Sequence, residues 1–161
     1  MSTKKLGRRR GRPRDEYVHH IVAVGGWEHY YGFSARPRTR HEDAGFYRTE
    51  TITFSGRSYL PEGFQFQNVE ITLSADDDFK ATAHEGFRPV IGTMNAAGET
   101  LYAHVFIPGD HMPQLVAVAA SGRVRVVSFI GTPLKRRSGL IRNVSVSTSA
   151  EELSDEEPEP L

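Results

Sequence analysis

Between Tyr17 and Val146 the chain is a succession of short runs rich in β-branched and aromatic residues, divided by glycine and proline turn signals. Side chains alternate between faces along a strand and recur every 3.6 residues on a helix, and only one stretch here follows the helical spacing. That pattern restricts the fold to a mainly β domain. The expected architecture is an antiparallel β-sandwich or partly open barrel of about eight strands with one short helix over about residues 110–121. At 161 residues the chain has material for one core and not for two.

Residues 17–24 read as a strand ending at Gly25-Gly26. Beyond it Trp27, His29, Tyr31 and Phe33 share one face of an extended chain and Glu28, Tyr30, Gly32 and Ser34 the other. Large aromatics dominate burial in β domains, so Trp27, Tyr31 and Phe33 are expected in the core. Residues 36–43 lack periodicity and read as an exposed loop. A long strand follows over 46–60 with Gly56 as a bulge or bend, then a Pro61-Glu62-Gly63 turn. Val69, Ile71 and Leu73 form an apolar face and Asp76-Asp77-Asp78 ends that strand. Residues 79–88 are read as loop. Residues 90–94 and 100–107 flank Asn95-Ala96-Ala97-Gly98 as a hairpin, whose second arm is apolar on both faces apart from His104 and so reads as a central strand. Asp110 is the expected helix cap, Met112, Leu115, Val116 and Ala119 the buried face and Gly122 the stop. Residues 124–130 and 140–146 form a longer hairpin with a basic tip.

The net charge is zero, yet the charges are sorted. Seven of the 20 basic residues fall in the first 14 positions and six of the 20 acidic ones in the last 11, leaving 13 basic and 14 acidic residues between. Single-sign blocks repel themselves and bury nothing, so the expectation is a disordered basic arm over 1–15, a folded domain over 16–149 and a disordered acidic tail over 150–161. The chain has no cysteine, which excludes a disulfide framework, a thiolate nucleophile and cysteine-ligated metal. No apolar run approaches a membrane span and no signal peptide is visible, so an intracellular setting is expected: cytoplasmic, nucleoid-associated, or nuclear in a eukaryote.

The sharpest local motif is Arg8-Arg9-Arg10-Gly11-Arg12-Pro13-Arg14. It resembles the AT-hook, a DNA-binding segment whose core is Arg-Gly-Arg-Pro between basic flanks. That resemblance implies A·T-rich duplex as partner, because a narrow minor groove concentrates negative potential and draws in arginines. The bland alternative is an arm that binds any polyanion. Arg36, Arg38 and Arg40 on one loop and Lys135, Arg136 and Arg137 on another are candidate further contacts. Were the two loops to meet beside exposed aromatics, they would suit single-stranded nucleic acid. The acidic tail could engage a basic protein or the basic arm of another copy, and an oligomer would compensate for a single weak arm.

Catalytic and metal signals are thin. His19-His20, His41-Glu42-Asp43, His84-Glu85 and Asp76-Asp77-Asp78 lack a ligand spacing, so no metal or cofactor is expected. His104 is the one titratable group on an apolar strand and would need a carboxylate such as Glu50 or Glu70 for acid-base work. The sequence thus points to a non-enzymatic binding module that associates with DNA through its arm. The alternatives are a protein-interaction or assembly module with solubilising tails, and a small enzyme or ligand-binding barrel.

Overall fold

Strand alternation builds one sheet of seven strands that closes on itself. In the computed structural model residues 16–80, 82–84 and 88–153 are described. The elements are β1 (Val18–Arg36), β2 (Gly45–Leu60), β3 (Asn68–Asp76), a separate small hairpin of β4 (Thr82–His84) and β5 (Arg88–Val90), β6 (Gly92–Ala97), β7 (Thr100–Pro108), α1 (Met112–Ala120), β8 (Val126–Gly131) and β9 (Ser138–Ser147). The order around the sheet is β1-β2-β3-β7-β6-β9-β8, and β8 pairs back onto β1. A ring of seven cannot alternate direction at every step, so at least one neighbouring pair must be parallel. Here it is β3 with β7, from Asn68 opposite Thr100 to Asp76 opposite Pro108. The mainly β, mostly antiparallel expectation holds. The 79–88 stretch read as loop contains β4 and the first residue of β5, which pair only with each other.

The two segments expected as separate strands on either side of Gly25-Gly26 are one 19-residue strand, with a register shift between Val24 and Gly26. Gly56 sits opposite this irregularity, and any Cβ there would strike the Ala23 carbonyl oxygen. Turn chemistry follows the sequence: Gly63, Gly98 and Gly122 all have positive φ. The helix start differs. Asp110 lies in a 3-10 turn (Gly109–His111), and His111 occupies the cap position with no side-chain cap bond. Proline stands at the start of α1, and since it has no amide to satisfy, the first turn has one orphan donor fewer to cap. Gly122 ends the helix, its N–H donating to the Ala119 carbonyl at 3.0 Å.

Inward-facing residues of the closed sheet fill its interior. Ile52, Phe54, Ile71, Leu101, Val105, Phe129 and Ile141 are wholly buried. Helix α1 bridges the end of β7 and the start of β8 and sends Met112 and Ala119 into that core. Toward the opposite end, His20 of β1 is buried, stacked on Phe129 with ring centroids 4.6 Å apart and edge-on to Phe64 at 5.1 Å. Burial, reinforced by His19, lowers its pKa to about 4.

Candidate functional site

The strands β1 and β2 are longer than the wall they build. Pairing of β1 with β8 covers Val18 to Ala23, and pairing of β2 with β3 covers Thr51 to Arg57. Beyond those limits Tyr31–Arg36 and Gly45–Glu50 pair only with each other, as a two-stranded ribbon projecting from the end of the barrel that α1 closes, while Trp27–Tyr30 at its base pair with Thr51–Phe54 of the wall. With no further layer to pack against, its aromatics stay in solvent. Trp27, Tyr31 and Phe33, expected in the core, are 40%, 56% and 64% exposed, and Phe46 reaches 75%. The core expectation for these three is therefore corrected, for want of a neighbouring strand rather than through any failure of the alternation.

Register sorts the ribbon into two faces. Trp27, His29, Tyr31 and Phe33 lie with Phe46, Arg48 and Glu50 on the face continuous with the barrel interior, because their partners Ile52 and Phe54 point inward. Phe33 and Phe46 stack there with centroids 5.6 Å apart and planes within 8°. Tyr30 and Tyr47 occupy the other face, and the Arg36 guanidinium lies 5.4 Å from the Tyr47 ring centre.

A charged brace ties the ribbon's base to the barrel. The His29 Nε2 and Glu50 Oε1 atoms are 3.1 Å apart, and Arg48 Nη1 donates to Glu50 Oε2 at 3.1 Å. Arg48 also donates to Asp77, from Nε at 3.1 Å and from Nη2 at 2.6 Å. This hydrogen bonding holds the Asp77 carboxyl below its ordinary pKa and raises that of Arg48. Gly109 makes room for the pair, since a Cβ there would collide with the Asp77 carboxylate and the Arg48 guanidinium. The Arg48-x-Glu50 spacing on a strand was visible in the sequence as two charges on one face. Their partners came from tertiary structure, His29 through the β1–β2 register and Asp77 from the turn just after β3.

The candidate basic loops do not meet. Arg36, Arg38 and Arg40 sit at the ribbon tip, whereas Lys135, Arg136 and Arg137 form the β8–β9 turn near the start of β1, where Val18 pairs with Gly131. At about 3.3 Å per residue, β1 spaces them on the order of 50 Å apart. Two of the three tip arginines are paired: Arg36 Nη1 donates to Glu42 at 2.7 Å and Arg38 lies 3.9 Å from Asp43, while Arg40 has no carboxylate partner among the described residues. Arg137 is a structural clamp. Its Nε donates to the Ala96 carbonyl at 2.9 Å and its Nη2 to the Gly98 carbonyl at 3.0 Å, and it lies over Phe66. Arg136 and Arg137 both have positive φ, the geometry of a tight hairpin turn between Lys135 and Ser138.

His104 stands on the outer face between exposed Tyr102 and Phe106. Partial burial lowers its pKa, and its ring nitrogen meets Ser74 Oγ at 2.7 Å. The carboxylate partnership considered for it is not formed: Glu50 pairs with His29 and Arg48, and Glu70 lies opposite Tyr102 in the β3–β7 register. Among the described residues no three His, Asp or Glu side chains gather as metal ligands, and no helix is long and apolar enough to cross a membrane. The Arg8–Arg14 motif, the His84-Glu85 side chains and all of the acidic tail after Leu153 lie outside what is described. Comparison with protein-family models, with curated proteins and with solved structures finds no match.

Proposed function

We propose that this chain is a small non-enzymatic interaction module that associates with DNA through Arg8–Arg14 and with protein through the β1–β2 ribbon. The observation that supports the protein half is the ribbon itself: Trp27, Tyr30, Tyr31, Phe33, Phe46 and Tyr47 are exposed on a projecting arm whose Arg36, Arg38 and Arg48 already have carboxylate partners. Contiguous exposed aromatics mark contact surfaces. Polyphosphate binding draws its strength from unpaired cations, and this surface holds three of its four arginines on Glu42, Asp43 and Asp77, leaving Arg40. The DNA half rests on the Arg-Gly-Arg-Pro core and its flanks. One arm neutralising about five phosphates binds weakly at physiological salt, so it gains most when its carrier assembles.

The test is binding of the full chain, and of a form lacking residues 1–14, to A·T-rich duplex, G·C-rich duplex and single-stranded DNA across a salt series. The expected outcome is an A·T preference that disappears with the arm. Equal binding to every polyanion, or none at physiological salt, removes the DNA half. Tighter binding to single strands that is lost in Phe33→Ser would reassign the ribbon to bases stacking on its rings.

A further inference from the structure

Past the register shift at Val24 and Gly26, one edge of β1 has no partner strand among the described residues, because β8 accompanies it only to Ala23. Trp27 through Arg36 therefore offers a row of unpaired backbone groups. Folded proteins guard such edges with lysine, proline, bulges or inward charges, since an open edge templates another strand. This stretch has neither lysine nor proline, and its Glu28 and Arg36 stand near its two ends with an aromatic-rich run between. The ribbon's other free edge, over 45–50 of β2, is shorter and has the acidic Asp76-Asp77-Asp78 segment beside it, with Asp77 bonded to Arg48.

We infer that a second copy of this chain adds its own β1 to this edge, antiparallel about a two-fold axis through Gly32, so that Glu28 of each copy meets Arg36 of the other. This deepens the ribbon reading above and rests on it. A two-fold axis normal to the sheet keeps each face on its own side, so a strand pairing with itself must be centred on a residue. Centring on Gly32 sets Tyr31 against Phe33, Tyr30 against Ser34 and Glu28 against Arg36, each twice by symmetry. Centring on Tyr31 instead puts Glu28 against Ser34, and centring on Phe33 carries it past the strand's end. Only the Gly32 centre brings Glu28 to Arg36, whose Nη1 holds Glu42 and whose remaining guanidinium N–H groups can donate to a second carboxylate. Tyr30 supports that centre, because its ring lies across Gly32, where a Cβ would fall 2.7 Å from the phenolic oxygen. A strand glycine covered by a cross-strand or neighbouring aromatic recovers the packing it lacks. The product is a continuous four-stranded ribbon, β2-β1-β1-β2, with the Phe33–Phe46 stacks of both copies on one face, and the two copies' β1 starts lie at its opposite ends.

Sedimentation of the full chain over a concentration series should show a dimer. Glu28→Arg, which sets like charges against each other at both ends, should weaken it by about tenfold or more, and adding Arg36→Glu should restore it. Because the chain has no cysteine, register can also be read chemically. Directly opposed residues place their Cα atoms about 4.5–5.5 Å apart, within disulfide reach. With Tyr30→Ala to clear the ring that a Cβ at Gly32 would strike, Gly32→Cys should therefore cross-link under mild oxidation, while Ser34→Cys in the same background, facing position 30 rather than itself, should not. A monomer at every concentration overturns the inference and leaves the deletion of residues 1–14 to judge DNA binding separately. Self-association unmoved by Glu28→Arg, or linked equally through both cysteines, overturns it too. A dimer that survives Phe33→Ser with Phe46→Ser removes the ribbon from the contact and the underlying reading with it.

Discussion

The inner and outer halves of β2 have the same alternation and opposite fates. Ile52 and Phe54 are wholly buried, whereas Phe46, on the same face of the same strand, is 75% exposed. The difference lies in the neighbours. Near Phe54 the strand has β1 on one side and β3 on the other, and the face it presents meets α1 and the far wall of the barrel. Around Phe46 it has β1 alone. An aromatic on a strand is thus a statement about a face, and whether that face becomes core depends on how far the adjoining strands reach.

The sharpest way to break this comparison is to truncate one aromatic in each half. Phe54→Ala removes a fully buried ring and should cost about 3–5 kcal/mol, whereas Phe46→Ala should stay within about 0.5 kcal/mol. Urea midpoints of the two variants measure it, and similar losses would mean that the ribbon is packed against something in solution. Next in size is acid sensitivity, which should belong to the barrel. His20 titrates near its ordinary 6.5 when unfolded and at about 4 when folded. Its neutral form is what the fold accommodates, so its contribution is complete above pH 6.5, is lost progressively as pH falls, and is gone below about 4. The total is about 3 kcal/mol. His20→Phe should flatten that slope in stability measured against pH, and an unchanged slope would place the titration elsewhere.

Smaller effects separate two neighbouring arginines of the β8–β9 turn. Arg136 holds a positive φ that asparagine tolerates better, so Arg136→Asn should stabilise by about 0.5–1 kcal/mol. Arg137→Ala instead deletes two hydrogen bonds to the Asn95–Gly98 turn, and should destabilise by about 1–2 kcal/mol. Equal effects at both positions in thermal unfolding would mean that neither clamps the turn.

Much of the fold was legible because it is local. Alternation at Val69, Ile71 and Leu73, the β6–β7 hairpin and the helix stop at Gly122 all follow from short-range sterics, although Asn95–Ala97, read as part of the hairpin connection, continue β6 and leave Gly98-Glu99 as the turn. The candidate site was legible only in part. The aromatic face of Trp27, His29, Tyr31 and Phe33 could be read from spacing, but its exposure could not. Likewise Arg48 and Glu50 share a face by spacing, while His29 and Asp77, 21 and 29 residues distant in sequence, reach them only through pairing. His104 was singled out for its apolar strand, and the sheet turned it outward to meet Ser74.

By itself, then, the sequence determined the β character, the turns, the single helix and the sorting of charge into two ends, since each depends on residues within a few positions of one another. Tertiary structure decided the ring of seven strands with its parallel β3–β7 seam, the separation of the two basic loops and the projection of the ribbon. Those depend on which strands become neighbours and where each neighbour stops. That outcome is set by packing the whole core at once, and no local pattern contains it.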